Sequence, residues 1–419
     1  MDFSGQVQRY PQALQRLHIT ACPALSALPE SICELAVLQR LVLHGCSSLT
    51  ALTMNIGNLA ALRVLIISDC GSLTTLPHSI GQLAALVKLH VKDCEALNEL
   101  PDSIGQLAAL RIFWICGCNL STLPDSIGQL AALKTFYVRN CERLTALPQS
   151  IGQMSALEDL EVKDCNALAL LPDSMGQLSA LQELEVRGCG ALPALPESIG
   201  QMAALRKLEV EDCVELTALP QSIGQLRLLE ILTIGQCGSL ATLPDSLGQL
   251  QTLWVLKISE CGGLTALPDS ISHLAALEAL FIEKCGGLTT LPDAIGQLRA
   301  LEKLEVEECG GLTALPASIG QLEALETLSI QGCGGIIALP DSIGKLASLE
   351  ELFIEKCGGL MTLPDSIGEL ATLRELKVKD CEGLTALPDS TGQLPALQHV
   401  DITGTRCTIN MRGCLIVCQ

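Results

Sequence analysis

The sequence predicts an α/β solenoid: a curved horseshoe of stacked coils with a concave parallel β-sheet and short helical or 3₁₀ return segments on the convex side. Three observations predict it. Cysteines recur every 24 residues at Cys22, Cys46, Cys70, Cys94 and Cys118, then after one 23-residue step at Cys141, Cys165, Cys189, Cys213, Cys237, Cys261, Cys285, Cys309, Cys333, Cys357 and Cys381. Around each stands one frame, L-x-x-L-x-(I/V/L)-x-x-C-x-x-L-x-x-L-P-x-S-I-G-x-L. Hydrophobic residues make up 48% of the chain but aromatics only 2%, so leucine fills the core. That bias suits a narrow layer copied many times, in which a ring would need a matching gap in each neighbour.

Each element can be read from one copy. Leu304-Glu305-Val306 alternates apolar and polar, the period of a strand with one buried face. Gly310-Gly311 after Cys309 permits a tight turn off the strand. Pro316 forbids a continuing central strand and Gly320 weakens a long helix, so Ser318–Leu322 is expected as a short helical or 3₁₀ turn. Asp or Ser after the proline, as at Asp102, Asp245 and Asp341, is expected to cap that turn. One coil cannot bury its leucines alone; stacking closes the core. Seventeen coils, from Leu14 to Leu397, would follow a sheet arc of roughly 80 Å at about 4.8 Å per strand. Residues 1–13 form a short lead-in, 14–405 the repeat domain, and 406–419 a tail or partial cap ending in the apolar run Cys414-Leu415-Ile416-Val417-Cys418.

These residues resemble the leucine-rich-repeat family over about residues 10–405. The L-P-x-S-I-G-x-L variant is similar to the repeat regions of plant disease-resistance receptors and to plant intracellular Ras-group-related repeat proteins. The resemblance implies non-catalytic protein–protein recognition in immune or signalling roles. The chain has no P-loop; Gly344-Lys345 is followed by Leu346, so the resemblance extends to the repeat region alone.

A net charge of −20 disfavours nucleic acid and anionic membranes, which are bound mainly through Lys and Arg. It suits solubility or a partner with a basic surface. No apolar run approaches the ~18 residues of a transmembrane helix. The first six residues carry no signal-peptide pattern, Asp2 excludes N-myristoylation, and the last four residues are no prenylation box. The expected location is cytoplasmic.

The sixteen ladder cysteines read as structural: small buried hydrophobes donating weak hydrogen bonds to the next coil. They are expected to stand without disulfide bridges, because parallel register points neighbours the same way. Cys33, Cys116, Cys407, Cys414 and Cys418 lie off the ladder. Cys116-Gly117-Cys118 lacks a second pair with zinc spacing, so no metal is expected. Cys414 and Cys418 in the tail are candidates for lipidation or oxidation. Asn119-Leu120-Ser121 is a glycosylation sequon expected to go unused. The six histidines join no catalytic constellation and pairs such as Glu307-Glu308 read as solvated face, so neither enzyme activity nor a cofactor is expected.

Binding information should sit at the middle strand position of successive coils. Val42, Ile66, His90, Trp114 and Tyr137 form an apolar and aromatic run expected to face solvent, with Arg139 one step from Tyr137. Glu161, Glu185 and Glu209 follow as an acidic run. The single shortened coil, between Cys118 and Cys141, falls among the rings, so Phe113 and Phe136 could instead fill a widened bend. The run is the expected partner-binding surface; alternatively the acidic stripe masks a basic surface of an enzyme or small GTPase.

Overall fold

In the computed structural model, residues 13–406 are described in full, and residues 408–411 and 414–417 by their backbone. The chain divides into two units, residues 1–205 and 206–419. In unit 1 the strands are β1 (Arg16–Thr20), β2 (Arg40–His44), β3 (Val64–Ser68), β4 (Lys88–Lys92), β5 (Ile112–Cys116), β6 (Thr135–Arg139), β7 (Asp159–Lys163) and β8 (Glu183–Arg187). Each pairs in parallel with the next without a slip, as in Arg40↔Val64 and Asp159↔Glu183. Unit 2 repeats the pattern with β9 (Lys207–Glu211), β10 (Ile231–Gly235), β11 (Val255–Ser259), β12 (Ala279–Glu283), β13 (Lys303–Glu307), β14 (Thr327–Gln331), β15 (Glu351–Glu355), β16 (Glu375–Lys379) and β17 (His399–Asp401). A two-stranded antiparallel hairpin, β18 (Thr408–Met411) and β19 (Cys414–Val417), follows, with β18 beside the turn Asp389–Gln393. Each unit is therefore a stack of α/β coils.

A five-residue strand presents its first, third and fifth side chains to one face and its second and fourth to the other. In β13 the second and fourth residues, Leu304 and Val306, are fully buried, while Lys303, Glu305 and Glu307 are half-buried. Leu312, Leu315, Ile319, Leu322 and Leu325 close the same coil from the other sides. The return segments are single 3₁₀ turns, such as Asp102–Gln106 and Asp341–Lys345, and no α-helix occurs among the described residues. Gly81 shows why the motif needs glycine in that turn. A Cβ there would stand 2.3 Å from the backbone oxygen of Ser103 in the next coil, so only glycine lets the turns stack this closely.

One local expectation is corrected. The capping role of Asp102, Asp245 and Asp341 is not found: proline occupies the cap position, and no side-chain cap hydrogen bond forms. Each aspartate is already the first residue of its turn, from which it does not fold back as a cap residue does. The tight turn after the strand is at Gly310-Gly311, where the Leu312 N–H donates to the Cys309 carbonyl at 3.1 Å. One residue before each ladder cysteine the backbone is also left-handed, in coil after coil: Glu308 has φ 50°, Asp93 50° and Gly117 63°. The N–H at this position extends the ladder by one bond, as from Asp93 to the Cys116 carbonyl at 2.8 Å, which offsets the strain of a left-handed residue. Gly311 serves close approach as well as the turn, since a Cβ there would meet the Gly286 oxygen at 2.3 Å.

Candidate functional site: an aromatic column on the sheet of unit 1

Parallel register without a slip turns a column of residues in the sequence into a column in space. His90 pairs with Trp114 and Trp114 with Tyr137. Their rings stack: His90 on Trp114 at 4.1 Å between centroids and 7° between planes, Trp114 on Tyr137 at 5.3 Å and 28°. The Lys88 ammonium lies 5.1 Å from the Trp114 centroid, and the Arg139 guanidinium 4.8 Å from that of Tyr137. These are offset-stacking and cation–π distances, each a modest gain beyond area burial. On the opposite face Phe113 and Phe136 are fully buried and stacked at 5.5 Å. The shortened coil changes neither set of rings, because the missing residue falls in the turn after Cys118 while Ile112 still pairs with Thr135.

Val42, Ile66, His90, Trp114 and Tyr137 are half-buried rather than exposed. Each ring covers its neighbour, which removes water from the flat faces and leaves edges accessible. The apolar side chains that do stand out lie elsewhere, such as Ile337 at 61% and Met361 at 63%. A cavity of about 280 Å³ opens at the column, lined by Ile66, Ser68, His90, Val91, Lys92, Trp114, Ile115, Cys116, Tyr137 and Arg139. Five of the expected binding residues therefore line one hollow. Ser68, Lys92 and Cys116 are additions. They are fifth-position strand residues and share the outer face with the middle position, a signal present in the strand period but not used when the middle column alone is read.

The polar groups of the site are tied down from one side. Tyr137 donates its hydroxyl hydrogen to Asp159, and Arg139 donates to Glu161. Burial, then the hydrogen bond to Asp159, pushes the Tyr137 phenol above its ordinary value. Burial, then Lys88 and Arg40, lowers the His90 pKa to about 4, so this imidazole is neutral at pH 7. Trp114 Nε1, His90 Nε2 and Arg139 Nε are buried without a hydrogen-bond partner among the described residues. Unmet donors beside an open cavity are costly unless a ligand or water meets them.

The acidic run is less open than its sequence suggests. Glu161 is only 5% exposed and paired with Arg139. Glu185 is half-buried on β8, and Glu209, on β9 of unit 2, is bridged by Lys207 at 3.0 Å.

Fifteen ladder cysteines, Cys46 to Cys381, are buried, and Cys22 in the first coil is half-buried. Their thiols reach carbonyls of their own and the preceding strand, as Cys333 Sγ does toward Gln331 at 3.3 Å and Val306 at 3.6 Å. In unit 1, Cys189 Sγ reaches Arg187 at 3.6 Å and Val162 at 3.8 Å; in unit 2, Cys213 Sγ reaches Glu211 at 3.5 Å. Each described ladder cysteine is a free thiol. The neighbouring thiols Cys165, Cys309 and Cys357, together with burial, push the Cys141, Cys285 and Cys381 thiols above their ordinary value. Cys189 and Cys213 each have a partner group beyond those carbonyls as well. The strand spacing of about 4.8 Å brings thiols that point the same way close together, although their direction does not suit a bridge. Burial pushes Cys94, Cys118, Cys237 and Cys333 up to about 12. Off the ladder, Cys33 is buried near Thr53 and Cys116 faces the cavity. Cys407, Cys418 and the Cys414 side chain lie outside the described residues. Among the described residues no three His, Cys, Asp or Glu side chains gather as a metal site requires, and no helix is long and apolar enough to cross a membrane.

A solenoid whose framework residues are fixed while its outer strand positions vary is built for recognition. The chain belongs to the leucine-rich-repeat family: the model of a leucine-rich repeat region matches residues 93–214, 197–285 and 283–410. No curated protein matches its sequence significantly. Among solved structures it is similar to a leucine-rich-repeat protein of Leptospira interrogans, at 28% identity and a TM-score of 0.67, covering 95% of this chain and 98% of that one. Drosophila Toll in the Toll–Spatzle complex is 16% identical with a TM-score of 0.63, over 98% of this chain and 61% of that chain. The functional domain of InlJ from Listeria monocytogenes, which includes a cysteine ladder, is 17% identical with a TM-score of 0.52, over 91% of this chain and 71% of that one. The last two likenesses concern the fold alone.

Proposed function

We propose that the protein is a non-catalytic protein-binding module whose contact surface is the outer sheet face of unit 1. Val42, Ile66, His90, Trp114, Tyr137 and Arg139 form that surface, with Glu161 holding Arg139 in place. The observation that carries this reading is the stacked column His90–Trp114–Tyr137 over a cavity with unmet buried donors. Rigid aromatic anchors and a nearby arginine are the usual centre of an interface. The role is recognition in immune defence, of the disease-resistance type that the repeat frame resembles, or intracellular signalling, and the place of action is the cytoplasm. In the same reading the sixteen ladder cysteines are structural, residues 14–405 form the repeat domain after the lead-in 1–13, and 406–419 serve as a partial cap.

The test is to capture partners from native lysate, purify one, and compare its affinity for wild type and for Trp114→Ala/Tyr137→Ala. The expected result is a loss of at least about tenfold, since central aromatic anchors are worth about 2 kcal/mol or more each. Unchanged affinity with retained fold overturns the reading.

The acidity of unit 2 supports a second reading, that of a scaffold or inhibitor masking a basic surface of an enzyme or small GTPase. Strands β9, β13 and β15 carry Glu209, Glu211, Glu305, Glu307, Glu351 and Glu355 outward. Under that reading, binding is salt-sensitive and falls when Glu185 and Glu209 are reversed to Lys.

A further inference from the structure

The net charge hides a segregation along the chain. Residues 1–139 hold nine Lys and Arg against nine Asp and Glu, which leaves seventeen against thirty-seven in residues 140–419. The whole excess of −20 therefore lies after residue 139. On the sheet the contrast is sharper. Strands β1–β6 contain Arg16, Arg40, Lys88, Lys92, Arg139 and three histidines, and no Asp or Glu.

The cations also converge. A hollow of about 530 Å³ at the start of β1–β3 is lined by Arg16, His18, Gln39, Arg40, Arg63, Val64 and Val87, with no carboxylate in its wall. Arg16, Arg40 and Arg63 take part in no ion pair among the described residues. Three guanidiniums on adjacent coils with no counter-charge among the described residues are unfavourable neighbours unless an anion joins them. On the same face Lys92 and Arg139 do have acids to hand, Asp93 at 3.5 Å and Glu161, so the arginine hollow is the open electrostatic site.

We propose that this face binds an acidic, extended segment of a protein partner, with carboxylates in the arginine hollow and an aromatic or aliphatic side chain in the Trp114 cavity. The proposal rests on the reading of this face as the binding surface and names its ligand chemistry. The sheet sets the spacing. Arg40 on β2 and Trp114 on β5 are three strands apart, about 14 Å at ~4.8 Å per step. An extended chain covers that distance in about four residues. The recognised segment therefore carries its acidic cluster about four residues from its apolar anchor. Phosphates would satisfy the same guanidiniums, but an oligonucleotide meets a strongly repulsive remainder of the chain.

The test uses fluorescence anisotropy of a labelled synthetic peptide with three Glu residues, a Gly-Ser spacer of about four residues, and a Phe. The full-length protein is expected to bind it, more weakly as salt rises. Arg16→Glu/Arg63→Glu, both exposed positions, should bind at least about tenfold more weakly, and Trp114→Ala should lose affinity with the salt dependence retained. Lys345→Glu, an exposed change of the same sign on a return turn, should leave binding unchanged. A Lys-for-Glu peptide and an oligo-uridine of similar length are expected not to compete. No binding of the Glu peptide, equal binding of the Lys peptide or oligo-uridine, or full binding by Arg16→Glu/Arg63→Glu overturns the proposal. If a captured native partner still needs Trp114 and Tyr137 while the Glu peptide fails, the ligand chemistry falls and the binding face stands.

Discussion

Gly310 and Gly311 are neighbours of one chemical type in one turn, yet alanine should be accepted at the first and resisted at the second. A Cβ on Gly310 meets nothing within 4 Å. A Cβ on Gly311 stands 2.3 Å from the backbone oxygen of Gly286 and 3.0 Å from that of Leu288. These obstacles are backbone atoms of the preceding coil, so relief requires moving two coils apart by about 1 Å, which forfeits a quarter to a half of the dispersion contact between them. Overpacking of this kind costs about 1–3 kcal/mol. Neither glycine is left-handed, so each change to alanine also gains about 0.4–1 kcal/mol by restricting the unfolded chain. Gly310→Ala should therefore be neutral or stabilising by up to about 1 kcal/mol, and Gly311→Ala destabilising by about 1–2 kcal/mol. Urea unfolding read by circular dichroism gives the sign, and amide exchange at β12 and β13 shows whether the loss is local, as a stack of nearest-neighbour interfaces requires. Equal midpoints for the two variants would refute the close-approach argument.

Three further outcomes follow from the same geometry. His90 has its pKa lowered from 6.5 to about 4, so the unfolded chain binds a proton in that window and the folded chain does not. Stability present at neutral pH should therefore be lost as pH falls from 6.5 toward 4, by roughly 1–2 kcal/mol after allowance for solvent at a half-buried ring, and His90→Gln should lack this component in a pH series of urea midpoints. Lys356 is an exposed left-handed residue at φ 54°, and Lys356→Gly should raise stability by about 0.5–1 kcal/mol, because the relieved strain exceeds the added chain entropy; a lower midpoint would contradict this. Iodoacetamide on the native protein should label Cys22 and Cys116, among the described cysteines, far faster than Cys94, Cys237 or Cys333, whose buried thiols hold their protons to about pH 12. Peptide mapping that finds Cys333 labelled as fast as Cys116 would contradict the packing described.

The fold was legible because its information is periodic. Leu304, Val306 and Cys309 recur in register, and a register that never slips converts spacing directly into strand pairing and a buried column. The left-handed residue before each cysteine carried no such signature, since Asp93, Gln236, Lys284 and Ala21 share its conformation but no chemistry. Capping was misread because Asp102 stands one residue inside the turn it would have to cap. At the site, the ring column was visible at the middle strand position, whereas Lys92 and Cys116 needed the fifth position as well. The exposure of Trp114 was overestimated because stacking between coils is not encoded in any single coil. The basic face of β1–β6 was masked by a single number, the net charge, which sums over regions that differ in sign and place.

The most direct measurement of the central claim uses the scarcity of indoles. The chain has two tryptophans, so in Trp254→Phe the only one remaining is Trp114, at the centre of the column. Its emission should shift to the blue and resist acrylamide quenching when a captured partner is added to saturation, because binding removes the remaining water from the ring edge. Saturating binding that leaves the emission and quenching of Trp114 unchanged would place the interface elsewhere and contradict the account.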